Sequence, residues 1–199
     1  MPVIRQENWL RLAAAGLFAA MAWPVYRWVW QEWWHNDYYS HGPLVLLIAA
    51  GLIWRLWPVS PPTSPADRYG GWLLTAAAGL YVWFYLSKAF YLAALSSILV
   101  LAGLLWLFGG LNLLRRLAFP LLLLALTVPL PIVERLTLPL ALWTGVSSGA
   151  VANWFGAGVS ITGVAVTLPN ANLTIGAQCS GINSMLSLLT ITLLAAFLF

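Results

Sequence analysis

Charged side chains are scarce in this chain. Only 7% of its 199 residues are charged, whereas 62% are hydrophobic. A soluble core of this size cannot bury that much apolar surface, so the composition excludes a soluble globular protein and predicts an integral membrane protein. The basic residues stand singly or in pairs between apolar runs, so the formal net charge of +4 orients helices in the bilayer and does not indicate nucleic-acid binding.

Cysteine occurs only once, as Cys179, which excludes an internal disulfide. The sequence also has no metal-ligand spacing, no glycine-rich phosphate loop and no paired carboxylates. Metal-dependent hydrolases and nucleotide-using enzymes are therefore not indicated, and we expect neither a metal nor another cofactor.

Apolar stretches separated by short polar segments predict an all-α, multi-pass protein with about six spans. The expected spans are residues 9–30, 43–57, 70–87, 89–108, 117–132 and 177–199. The positive-inside rule then assigns one set of helix ends to the cytoplasm, namely those near Arg5, Arg11, Arg55, Arg68, Arg115 and Arg116.

This assignment places the polar segment 31–42 at the outer face, whereas loop 109–116 is cytoplasmic. Residues 136–155 are apolar enough to span, yet they are rich in Gly, Ser and Thr. We favour a helix at, or dipping into, the outer interface because this keeps the arginine pairs inside and the cysteine outside, and both alternatives stay open. Residues 159–168 alternate between apolar and polar before a turn at 169–172, which predicts a small outer β-hairpin.

Cys179 follows this hairpin at the expected N-terminus of the last helix. Unsatisfied backbone N–H groups and the helix dipole favour a thiolate at such a position. A lone cysteine is also often a small buried residue, but its polar neighbours favour a nucleophile: Gln178, Ser180, Asn183 and Ser184. The backbone N–H groups of Ser180 and Gly181 are candidate donors to an oxyanion.

With Cys179 so placed, the chain resembles the exosortase/archaeosortase family of membrane cysteine transpeptidases. The resemblance runs from about Tyr38 to the end and rests on ordered features: Asp37-Tyr38-Tyr39-Ser40-His41-Gly42-Pro43, Pro129-Leu130-Pro131, the hairpin, and Cys179-Ser180-Gly181-Ile182. It implies that Cys179 is the nucleophile. It also implies a fold of roughly eight spans and secreted protein substrates with a C-terminal sorting signal of PEP-CTERM type.

The family also places an arginine and a histidine on later helices, but no residue after Cys179 is Arg or His. We therefore expect residues 1–199 to be a single membrane domain, truncated at its C-terminus and inactive alone.

Other polar residues at the expected outer face are weaker candidates. His41 is interpreted as a substrate or structural contact, and Arg135 as an interfacial anchor or a residue that lines the site. Asp37 is expected to cap the helix that begins near Gly42. Tyr38, Tyr39 and the tryptophan cluster are typical of an interfacial belt.

The leading hypothesis is a cysteine peptidase or transpeptidase of the inner (plasma) membrane whose active site faces outward. The partners are the lipid bilayer and exported proteins, with no nucleic acid. The alternative is a non-catalytic multi-pass protein, such as a transporter subunit or an assembly scaffold of envelope or exopolysaccharide export. Asp37 and His41 also weakly permit a membrane acyl- or glycosyltransferase.

Overall fold

The computed structural model describes residues 3–57, 68–168, 171–176 and 180–198. It is mostly helical and divides into two compact units, Met1–Pro129 and Leu130–Phe199. The first unit contains α1 (Val3–His35), a 3₁₀ turn (Asp37–Tyr39), α2 (Gly42–Leu56), α3 (Arg68–Leu86) and α4 (Phe90–Leu126). The second contains α5 (Pro131–Trp154), β1 (Ser160–Thr162), β2 (Ala165–Leu168), β3 (Ala171–Thr174) and α6 (Ile182–Leu198).

Two segments of the described chain are long and apolar enough to cross a bilayer by length and composition: Asp37–Leu56 and Phe90–Leu126. A shorter apolar helix lies at Ile182–Phe197. The spans expected in α1 and α3, like the six-span topology, stay predictions.

α4 is two helices that fold back on each other at Gly110. Gly110 has non-helical angles (φ 72°, ψ 173°). If α4 were straight, its 37 residues would extend about 55 Å. Its two ends nevertheless reach neighbouring parts of α1. The Phe90 ring lies 5.8 Å from that of Trp28, and the Thr127 carbonyl accepts a hydrogen bond from Trp33. Trp28 and Trp33 are only about 7.5 Å apart along a helix, so residues 90–109 and 111–126 are antiparallel.

This reversal refines the loop that the sequence predicts at 109–116. The chain turns at Gly110 and is helical again from residue 111, so Arg115 and Arg116 lie on a helix and not in a loop. The helix then ends at Leu126, six residues before the end expected at 132, and Pro131 begins α5. Proline suits that first helical position because it has no N–H to leave unpaired there.

α3 and the first half of α4 form an antiparallel pair through glycine contacts. A Cβ at Gly70 would lie 2.7 Å from the Leu107 nitrogen, and one at Gly103 would lie 2.8 Å from the Leu74 Cα. Such small residues let helix backbones approach closely. In the turn between the helices, Lys88 has a φ of 59°. The Ala89 N–H donates a hydrogen bond to the Phe84 carbonyl, and the Lys88 N–H donates one to the Tyr85 carbonyl. This is a Schellman motif with lysine in the usual glycine position.

The second unit holds the β structure. β1, β2 and β3 form an antiparallel meander in that order, with Ile161 opposite Val166 and Val166 opposite Leu173. The sequence predicts a single hairpin, whereas Gly163 (φ 61°) makes an additional turn inside residues 159–168. The turn expected at 169–172 falls partly outside the described residues.

Candidate functional site

The last helix begins later than the sequence predicts. α6 starts at Ile182 and not at residue 177, and Gly181 just before it has a φ of +68°. A Cβ at Gly181 would meet no atom within 4 Å, so glycine is required there for its backbone angle and not for space. Cys179 lies outside the described residues, and α6 begins three positions after it.

Ser180 and Gly181 close the N-terminus of α6. The Ser180 hydroxyl oxygen accepts a hydrogen bond from the Ile182 amide at 3.3 Å, and the Gly181 carbonyl accepts one from the Met185 amide at 3.0 Å. The amides of Ser180 and Gly181 therefore precede the helix. The amides in the first turn of α6 are those of residues 182–184, and these carry the positive end of the helix dipole.

The β meander packs against α5 at two glycines that lie one helical turn apart. A Cβ at Gly145 would collide with the Ile175 side chain, and one at Gly149 would collide with the side chain of Ile161. The Ile175 amide also donates to the Val164 carbonyl at 2.7 Å. Ile175 is buried, so the chain is firmly held four residues before Cys179.

A second attachment joins the end of α5 to the first strand. The Asn153 side chain donates to the Val159 carbonyl at 2.7 Å and accepts from the Val159 amide at 2.6 Å. This paired bond satisfies both backbone groups of Val159. Together with the glycine contacts, it makes α5 and the meander one support for the segment that leads to Cys179.

In the first unit, Trp33 joins α1, α2 and α4. Its indole Nε1–H donates to the Thr127 carbonyl at 2.9 Å, which satisfies a carbonyl just past the end of α4. A Cβ at Gly42 would lie 2.5 Å from the same Nε1, so the ring lies directly against the first residue of α2. Trp33 is 7% exposed and Thr127 is 3% exposed.

His41 lies beside this junction, immediately before α2. Its ring stacks on that of Tyr39, with 6.3 Å between centroids and 28° between planes. Its Nδ1 is buried and has no hydrogen-bond partner among the described residues. A buried polar atom without a partner is costly. His41 therefore holds an unused hydrogen-bonding group at the start of a candidate membrane span.

Asp37 has a different local role from the one expected. The residue that caps is Asn36, whose side-chain oxygen accepts from the Tyr38 amide at 3.2 Å. Asp37 lies in the first turn of the 3₁₀ segment, and its carbonyl accepts from the Ser40 hydroxyl at 3.1 Å. The N-cap residue of α2 is His41, without a capping side-chain bond.

Arg135 is exposed in the first turns of α5, next to Glu134. The position of Glu134 in the first turn favours its negative charge, because the N-terminal end of a helix dipole is positive. Arg135 belongs to the unit that carries Ser180 and Gly181, whereas Asp37 and His41 belong to the other unit.

Sequence reasoning missed the part played by Trp33 and assigned it, with Tyr39, to an interfacial belt. Both side chains are buried, whereas Trp23 and Trp34 are each 69% exposed. The buried residues of α1 recur every three or four positions, but apolar residues also occupy its exposed faces, so the sequence does not single out this stripe: Ala22, Val25, Val29 and Trp33.

The sequence matches the family model described as transmembrane exosortase (Exosortase_EpsH) over residues 33–199. The matched range begins at Trp33 and includes His41, the meander and Cys179. No curated protein and no solved structure matches the chain.

Proposed function

Because the chain belongs to the transmembrane exosortase family, we propose that it is a membrane cysteine transpeptidase or protease that cleaves C-terminal sorting signals from exported proteins. The family match over residues 33–199 is the observation that carries this proposal. Cys179, the single cysteine, is the proposed nucleophile.

The local architecture supports this role for Cys179. Ile175, four residues before Cys179, packs against α5, and α6 begins at Ile182, three residues after Cys179. A thiolate held in front of the first turn of α6 would be stabilised by the helix dipole. The first-turn amides of residues 183 and 184 are suited to a developing oxyanion, with those of Ser180 and Gly181 as further backbone candidates.

The proposed reaction has two steps. The Cys179 thiolate attacks the carbonyl carbon of the scissile peptide bond, and the carbonyl electrons move onto oxygen. Collapse of this intermediate breaks the C–N bond, and the departing nitrogen takes up a proton and leaves with the sorting signal. Water or an acceptor amine then attacks the thioester, loses a proton and releases the thiolate.

His41, Arg135 and Asp37 are proposed as substrate-contacting or structural residues of the outer face. The His41 side chain is only partly buried, so its ring can offer a hydrogen bond to a peptide group of an incoming substrate. The Arg135 guanidinium is exposed and can pair with a substrate carboxylate. Asp37 orders the turn that leads to His41 through its own carbonyl.

We further propose that the active site faces outward from the inner membrane. The positive-inside rule places the ends that carry Arg55, Arg115 and Arg116 in the cytoplasm. An exported substrate with a membrane-spanning signal would then present its scissile bond at the opposite face, beside Cys179.

The test is Cys179→Ala in the protein expressed from its own chromosomal locus, beside a secreted reporter with a Pro-Glu-Pro-type tail. Processing should fall by at least about 10³-fold because the nucleophile is gone. Cys179→Ser should fail almost as badly, since an alcohol needs a stronger base than a thiol.

The matched control is Ser148→Ala, which removes a similar side chain from an exposed position of α5 and should process normally. Membrane levels of all variants are compared on a blot. Normal tail removal by Cys179→Ala would refute the enzyme and favour the non-catalytic alternative.

A further inference from the structure

An apolar groove lies in the first unit, away from the junction at Trp33. It has a volume of about 260 Å³, and its lining side chains are apolar, with Phe18 from α1, Trp57 after α2, and Phe108 and Leu113 on either side of the α4 reversal. An apolar cavity of about 150 Å³ already admits benzene. This groove is therefore large enough for a slender hydrocarbon chain.

Exposed arginines surround the same end of the unit. Arg55 lies two residues before Trp57, and Arg115 and Arg116 lie just after Leu113. Arg68 begins α3, whose Gly70 lies against Leu107 of α4.

All four arginines are exposed, and the Arg68 guanidinium lies over the Tyr69 ring, 5.4 Å from its centroid. Their guanidinium groups come from three helices, so this end of the unit is strongly electropositive and complements a negatively charged headgroup.

We propose that the groove holds one acyl chain of an anionic phospholipid whose phosphate contacts these arginines. The bilayer supplies such lipids at the cytoplasmic surface, where the positive-inside rule places this end. The charge complementarity distinguishes this occupant from a zwitterionic lipid or an apolar protein helix. The reversal at Gly110 builds the site, because it sets Phe108 and Leu113 side by side and leads directly into Arg115 and Arg116.

The experiment places the whole chain in phosphatidylcholine nanodiscs that contain a trace of lipid with a diazirine in its acyl chain. The labelled lipid is phosphatidylglycerol in one sample and phosphatidylcholine in the other. After irradiation, tagged peptides are mapped by mass spectrometry. The phosphatidylglycerol probe should tag the groove segments around Phe18 and Phe108 much more than the phosphatidylcholine probe does.

Two variants test the two halves of the site. Arg115→Gln with Arg116→Gln should reduce phosphatidylglycerol tagging roughly 30-fold, about fivefold for each charge removed. Ala15→Phe, which projects a ring into the groove, should abolish tagging of the groove segments by either probe.

The matched controls are Lys88→Gln, which removes a charge at the opposite end of α3, and Ala76→Phe, on an exposed face of α3. Neither should change the pattern.

Three results would overturn the proposal. Equal tagging by both probes would mean that the headgroup is not recognised. Tagging that survives Ala15→Phe would place the lipid outside the groove. An untagged groove, with tagging confined to outer helix faces, would mean that another part of this chain, a second copy or a partner protein covers it.

Discussion

Gly42→Ala tests the junction at Trp33 most directly. The new Cβ would lie 2.5 Å from the Trp33 Nε1, well inside the closest approach of real side chains. The indole is rigid and buried, so it cannot move without weakening its hydrogen bond to the Thr127 carbonyl. The substitution should therefore loosen α1 from both α2 and the end of α4.

The magnitude follows from two costs and one gain. Overpacking a buried site costs about 1–3 kcal/mol, and leaving the Thr127 carbonyl without its donor costs about 1–3 kcal/mol. Alanine regains up to about 0.5–1 kcal/mol of helix propensity over glycine. The free energy of unfolding should therefore fall by about 1–5 kcal/mol for Gly42→Ala.

Gly51→Ala is the matched control because it makes the same change in the same helix where no atom lies within 4 Å. It should leave stability unchanged or raise it by about 0.5–1 kcal/mol. Both free energies of unfolding are measured by SDS titration in bicelles. Trp33→Phe should itself cost about 1–3 kcal/mol because it removes the N–H but keeps an aromatic ring.

The double variant Trp33→Phe with Gly42→Ala completes the test. A phenyl ring is smaller than indole and has no N–H to lose, so Gly42→Ala should cost clearly less in the Trp33→Phe background. Equal stability of Gly42→Ala and Gly51→Ala, or strictly additive effects in the cycle, would refute the proposed role of Trp33.

Two further predictions concern the proposed active site. A membrane-impermeant maleimide should label Cys179, the single cysteine, in intact spheroplasts. The Cys179→Ala variant is the unlabelled control. Labelling that occurs only after the cytoplasmic face is exposed would contradict the proposed orientation. His41→Ala should slow reporter processing about tenfold by removing one hydrogen bond to substrate, whereas His35→Ala, on an exposed ring that bonds only the local Gln31 carbonyl among the described residues, should process normally. Complete loss at an unchanged membrane level would make His41 catalytic, and an unchanged rate would remove it from the site.

Much of the helical layout could be read from local sequence. The helices expected at 43–57 and 70–87 appear as Gly42–Leu56 and Arg68–Leu86, because apolar runs bounded by proline and arginine report helix limits directly. The short turn at Lys88 likewise predicts the antiparallel helix pair. The glycines at 109 and 110 mark the chain reversal, but the sequence does not show that the turn is confined to Gly110.

The candidate site was predictable only in part. Cys179 stands out by being unique and by its polar neighbours, and the ordered motifs that it shares with exosortases point to the family. The start of α6 was placed too early because the residues from 177 onward are compatible with a helix. Glycine permits both helical and left-handed angles, so the sequence does not show that Gly181 adopts φ +68° and delays the helix to Ile182.

Composition and hydropathy by themselves determined that this is a membrane protein and where most of its helices lie, since burial in lipid depends on local apolar content. Only the tertiary structure decided which aromatic side chains are buried in the protein and which are exposed on its surface. Trp33 is buried because its indole bonds a carbonyl 94 residues away, at Thr127, and because Gly42 leaves room for the ring. Contacts at such sequence separation are invisible to any local pattern, and they also set His41 beside that junction with a buried nitrogen still without a partner among the described residues.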